Sequence, residues 1–146
     1  MNNLIKYFIG LFFVTSASIA QEIDIPESLK IIPNAKYYWS YSVERVSTRN
    51  DNIHKYIIRV SIVQEDMNGK HLRNRIKLNN AILYCSYLEK GVAKKVFFKQ
   101  KRKRWIAKFR IYTNEILPLK IIAEYKNDKR IMSLTLNKGT YPGEPD

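Results

Sequence analysis

The sequence predicts an all-β fold, a single-domain antiparallel β-sandwich of about eight strands, from three observations. Apolar and polar residues alternate with a period of two in one segment after another, which gives each segment a core side and a solvent side. Turn chemistry punctuates these segments at Thr48-Arg49-Asn50-Asp51-Asn52, Asn68-Gly69, Asn79-Asn80, Glu89-Lys90-Gly91 and Asn127-Asp128. No segment carries a convincing helical period. An immunoglobulin-like or related Greek-key sandwich is the expected architecture, with a small β-barrel as the alternative, because strand number does not separate them.

Residues 1–20 are read as a signal peptide that does not join the fold. Lys6 precedes the apolar run Tyr7–Val14, and the small residues of Ser18-Ile19-Ala20 suit signal peptidase. The run falls short of the ~20 residues needed to span a bilayer, and nothing later is longer, so the mature chain is expected to carry no transmembrane segment. Together with the many Lys, Asn and Ile residues, this leader fits an exported bacterial protein, periplasmic or secreted.

Residues 21–35 (QEIDIPESLKIIPNA) contain two prolines and no sustained period, and read as an extended N-terminal arm or edge segment. The arm's acids, Glu22, Asp24 and Glu27, offer a way to cover a basic surface elsewhere, although a solvated terminus is the plainer expectation. The sandwich domain is expected over 36–137. Its first strand, Lys36–Ser47, alternates Tyr37, Trp39, Tyr41 and Val43 with Tyr38, Ser40, Ser42 and Glu44. Its second, Ile53–Gln64, alternates Tyr56, Ile58, Val60 and Ile62 with Lys55, Ile57, Arg59 and Ser61. Asn68-Gly69 has the chemistry of a tight hairpin turn into a basic strand at Lys70–Leu78. Further strands are expected at Ala81–Leu88, Val92–Lys99, Trp105–Tyr112, Leu119–Tyr125 and Arg130–Leu136, with Pro118 marking a loop. Residues 138–146 read as a flexible C-terminal tail.

Charge is distributed unevenly. The chain has 26 Lys and Arg against 13 Asp and Glu. Removing Lys6 with the leader leaves 26 − 1 = 25 cations and a net charge of 25 − 13 = +12. Between Lys70 and Arg110 there are 14 cations and one acid, Glu89, a net of +13, so the rest of the mature chain sums to −1. The extreme is KKVFFKQKRKRWIAKFRIYT, residues 94–113, read as two strands around the cationic turn Lys101-Arg102-Lys103-Arg104. Trp105, Ala107, Phe109 and Ile111 fall on one side of its second strand, and Ile106, Lys108, Arg110 and Tyr112 on the other. Consecutive cations repel one another and add nothing to a fold, so they serve either as a solvated face guarding an edge strand or as an anion-binding surface. The candidate binding residues are Lys94, Lys95, Phe97, Lys99, Lys101, Arg102, Lys103, Arg104, Lys108, Arg110 and Tyr112. Their cations would attract anions and their exposed aromatics would add flat apolar contact.

Motifs for catalysis or cofactors are missing from the sequence. His54 and His71 lack zinc-site spacing, and the five glycines form no phosphate-binding or nucleophile-elbow motif. Glu65-Asp66 would hold calcium only with oxygen ligands from elsewhere. The lone Cys85, in AILYCSYL, cannot form an internal disulfide and is read as a buried thiol. No cofactor is expected. The functional expectation is an exported non-catalytic binding module for anionic glycans, lipid head groups or an acidic protein. Nucleic acid is a weaker expectation outside the cytoplasm, although cations interleaved with aromatics do suit single strands. A hydrolase with carboxylates distant in sequence, and a structural subunit of a secretion or surface assembly, are the alternatives from other classes.

Overall fold

The computed structural model describes residues 14–15, 21–30, 32, 34–46, 48–65, 67–72 and 76–137. Along these residues the alternating segments become β1 (Val14–Thr15), β2 (Gln21–Glu22), β3 (Lys36–Val46), β4 (Ile53–Glu65), β5 (His71–Leu72) and β6 (Ile82–Glu89). There follow β7 (Val92–Phe97), β8 (Lys99–Lys101), β9 (Arg104–Tyr112), β10 (Leu117–Tyr125) and β11 (Asp128–Leu136), and the helical content is one 3-10 turn at Glu27–Leu29. All pairings are antiparallel. The first sheet runs β3-β4-β9-β8, with β1 and β2 on the free side of β3 and β5 on the end of β4; the second runs β11-β10-β6-β7. No strand pairing joins the sheets among the described residues, so the molecule is a two-sheet sandwich and not a closed barrel.

The core follows from strand parity. Tyr37, Trp39, Tyr41 and Val43 of β3, Tyr56, Ile58, Val60 and Ile62 of β4, and Trp105, Ala107, Phe109 and Ile111 of β9 are buried against Leu83, Cys85, Leu119, Ile121, Ala123, Met132 and Leu136 of the second sheet. Trp39 and Trp105 meet edge-on with ring centroids 5.4 Å apart, and Tyr87 meets Phe109 across the layers at 5.8 Å. Edge-on aromatic pairs of this kind contribute ~0.5–1.5 kcal/mol beyond the area they bury.

Several local expectations are corrected. The strand expected over Val92–Lys99 breaks at Phe98, which is buried and donates its N–H to Leu83 O at 2.9 Å. There the chain leaves the second sheet as β7 and enters the first as β8, a strand switching sheets at a sandwich corner. Among the described residues of the basic strand expected at Lys70–Leu78, His71–Leu72 pair as a strand, while Ile76 and Leu78 are buried without strand pairing. At Asn68-Gly69 only Gly69 has positive φ (77°), and residues 66–70 span from Glu65 to His71, so this hairpin has a longer loop than a tight turn. The tight turn with positive φ at both centres is Lys90 (49°) and Gly91 (78°) between β6 and β7. Pro118 lies inside β10: it pairs with Thr135 of β11, and on its other side β6 is not paired until Leu119, so the missing N–H removes no ladder bond.

The N-terminal arm is part of the sandwich. Ile23 and Ile25 are buried in the core, and Ile23 N–H donates to Tyr37 O at 2.8 Å. Because β2 lies on the β3 side and the basic hairpin on the opposite edge, the arm's acids do not cover the basic surface. Apart from Val14 and Thr15, the expected leader lies outside the described residues, as do the 138–146 tail, Asp66, Arg73 and Arg75. No helix among the described residues is long and apolar enough to cross a membrane.

Candidate anion-binding surface

The β8–β9 hairpin closes through the pair Lys101–Arg104, with Arg102 and Lys103 as the turn. Arg102 sits at φ 57°, a left-handed conformation that glycine adopts without steric cost and that an arginine does not. The burial of Trp105, Ala107, Phe109 and Ile111 fixes β9's orientation, and Lys108, Arg110 and Tyr112 are thereby exposed on the outer face. Tyr112 remains 58% exposed.

Register then assembles a surface from three strands. Arg110 lies directly opposite Lys55 of β4, Lys108 opposite Ile57, Ile106 between Arg59 and Lys99, and Arg104 between Ser61 and Lys101. Like charges directly opposite on neighbouring strands are destabilising, so the Lys55–Arg110 pair works against the fold. Among the described residues, Arg59 has a carboxylate partner, donating through Nη1 to Glu44 Oε2. Lys55, Lys99, Lys101, Arg102, Lys103, Arg104, Lys108 and Arg110 have none within ion-pair distance among those residues. Lys55 is the residue that sequence reading missed. Its outward parity in β4 was visible, but a partner 55 residues away in sequence was not.

The other candidates face elsewhere. Lys95 and Phe97 share parity on the outer face of the second sheet. Phe97 is 61% exposed there, its ring 5.6 Å from that of Tyr84, and Lys95 Nζ lies 4.8 Å above the Tyr84 ring. Cross-strand neighbours Ile122 and Ile131 continue this row, making it apolar. Phe97 and Tyr112 therefore do not line one surface, and the sheet switch at Phe98 is the reason. Lys94 has the opposite parity to Lys95 and is exposed beside Tyr87.

Among the described residues no cluster of three or more His, Cys, Asp or Glu could hold a metal ion. The hydrogen bond to Glu65 pushes the Tyr38 hydroxyl up to about 12, which commits the one described member of the Glu65-Asp66 pair. Burial pushes the Cys85 thiol up to about 12, the environment of an unreactive thiol. His54 stacks edge-on against Tyr56 at 6.3 Å. A cleft of about 720 Å³ on the β3 side is lined by Ile32, Asn34, Ala35, Lys36, Glu65 and Met67 among others, with Lys36 directly opposite Glu65. Among the described residues its lining holds one cation and one acid, with no charge preference like that of the basic face. The chain matches no known family model, no curated protein and no solved structure.

Proposed function

We propose that the chain is an exported, non-catalytic binding module whose basic first-sheet face engages an anionic partner: an envelope glycan or lipid head group, or an acidic protein. The supporting observation is the set of cations without a carboxylate partner among the described residues, Lys55, Lys99, Lys101, Arg104, Lys108 and Arg110, on one sheet face, continued at the hairpin tip by Arg102 and Lys103. Arg102 holds its charge in a turn position that favours glycine. Solubility alone does not require cations this concentrated, since charges of mixed sign serve it as well.

The test is a titration of heparin, lipopolysaccharide and single-stranded nucleic acid at several salt concentrations, wild type beside a variant with Lys101, Arg102, Lys103 and Arg104 all changed to Gln. Wild type should bind with an affinity that falls steeply with salt, because each neutralised anionic group releases counterions. The variant should bind more weakly and with a shallower salt slope, at unchanged or slightly raised thermal stability, because exposed charges add little to folding. Equal binding by both proteins, with only aggregation of the variant, would reduce the hairpin to a guarded edge.

A further inference from the structure

The basic surface ends at an unfinished side of the sandwich. β8 pairs with Arg104–Ile106 and no further, because Phe98 takes the chain into the other sheet. From Ala107 to Tyr112, β9 therefore has β4 on one side and no strand on the other among the described residues. The tight turn makes Lys101–Arg104 a hydrogen-bonded pair, so the even-numbered residues of β9 point N–H and C=O toward this open side. Thr113, on the odd series, donates instead to Asn52 O at 3.0 Å, as that parity requires. Tyr112 O already accepts from Asn137 Nδ2 at 3.3 Å. Among the described residues, the backbone groups of Lys108 and Arg110 are left without strand partners.

The opposite layer is uncovered at the same place. Val92 and Lys94 of β7 share the face on which Val96 packs against the core, yet Val92 is 57% exposed and Lys94 is exposed too. Lys94 is paired with Tyr87, whose ring meets Phe109 of β9. The space beside β9 and over β7 is where a further strand of the first sheet would lie.

We infer that this notch takes an extended acidic segment of a partner protein, added as a strand to the Ala107–Tyr112 edge of β9. This rests on the proposed function and narrows it to one partner chemistry. Main-chain bonds to Lys108 and Arg110 would provide the docking, as in other strand additions. Alternate side chains of the added strand would fall on the outer face, where carboxylates meet Lys108, Arg110 and the neighbouring Lys55. The intervening ones would cover Phe109, Tyr87 and Val92. The same cations reject a second copy of β9, which would bring Lys108 and Arg110 against their own kind. At ~3.3 Å per residue, a guest of about six residues fills the edge.

The experiment titrates a synthetic peptide of alternating glutamate and valine against the full chain. A second peptide of the same sequence is N-methylated at alternate backbone nitrogens, and heparin and anionic vesicles are run in parallel. The unmodified peptide should bind, and amide hydrogen exchange at Lys108 and Arg110 should slow in the complex. N-methylation on wild-type protein, and the exposed double change Lys108→Glu with Arg110→Glu, should each weaken binding by about ten-fold or more, the effect of losing charge-assisted or main-chain hydrogen bonds. Equal affinity for the N-methylated peptide, or unprotected amides, overturns strand addition. So does a self-associated dimer in sedimentation with this edge protected. Binding of heparin or vesicles without the peptide overturns the inference and leaves the proposed function standing, whereas binding of no polyanion removes both.

Discussion

Replacing Arg102 by glycine separates what the basic turn costs the fold from what it offers a partner. At φ 57° a side chain with a Cβ is held against its own carbonyl, which costs roughly 1–2 kcal/mol relative to the right-handed region. Glycine removes that strain, and its greater freedom in the unfolded chain takes back about 0.4–1 kcal/mol. The net expectation is a gain of about 0.5–1 kcal/mol. Arg102→Ala is the control, because it removes the same charge and keeps the Cβ; as an exposed substitution it should stay within about 0.5 kcal/mol of wild type. Urea denaturation reads the difference. With an m-value of about 1–3 kcal/mol/M, the glycine variant's midpoint should lie roughly 0.2–1 M above that of the alanine variant, at equal m. The two variants should lose heparin affinity alike, since each loses one cation. A glycine variant no more stable than the alanine variant would refute the left-handed turn, and with it the claim that charge is kept there at the expense of the backbone.

Other expectations follow from groups in the core and at its ends. Gln64 is 0% exposed and neither amide atom has a hydrogen-bond partner among the described residues, so Gln64→Leu should raise stability by about 1–3 kcal/mol in the same urea assay; a loss of that size would mean the amide is bonded in solution. Cys85 should label slowly with a thiol reagent in the native state and rapidly after denaturation. Its folded pKa is raised by burial to about 12, so its contribution to stability is fully present below the ordinary thiol value near 9 and is lost as pH rises from there toward 12. A Cys85→Ser variant should track wild type more closely above pH 9, and parallel pH profiles would contradict the buried assignment. Asn137, at φ 68°, donates through Nδ2 to the carbonyls of Tyr112, Thr113 and Glu115, so Asn137→Ala should cost about 1–2 kcal/mol and increase amide exchange across the 112–115 turn. Unchanged exchange there would show that the clamp contributes nothing.

Legibility in the sequence followed physical range. The buried series Trp105, Ala107, Phe109 and Ile111 could be read from alternation because strand parity is local. So could the sandwich itself and the cations of the β8–β9 turn. Parity says which side a residue takes but not which strand lies next to it, so the Lys55–Arg110 contact across β4 and β9 was hidden. The switch at Phe98 was hidden too, because Phe97-Phe98 reads as an uninterrupted strand; what divides it is Leu83 O accepting from Phe98 N–H. In the arm, Ile23 and Ile25 alternate with Glu22 and Asp24 over too short a span to outweigh two prolines, and their burial depends on the β3 edge being available.

The crossing at Phe98 also bears on how the molecule comes apart. β7 and β8 are successive stretches of one strand, hydrogen-bonded to different sheets, with Phe98 anchored between the layers. Peeling β8 from β9 pulls on Phe98, and pulling on Phe98 loosens the end of β7 where Phe97 pairs with Tyr84. Neither sheet can therefore open at this side independently of the other. Amides of Val96, Phe98 and Ile106, which belong to different sheets, should exchange through one shared opening event, while those at the β10–β11 turn, remote from the crossing, are free to exchange through smaller local openings.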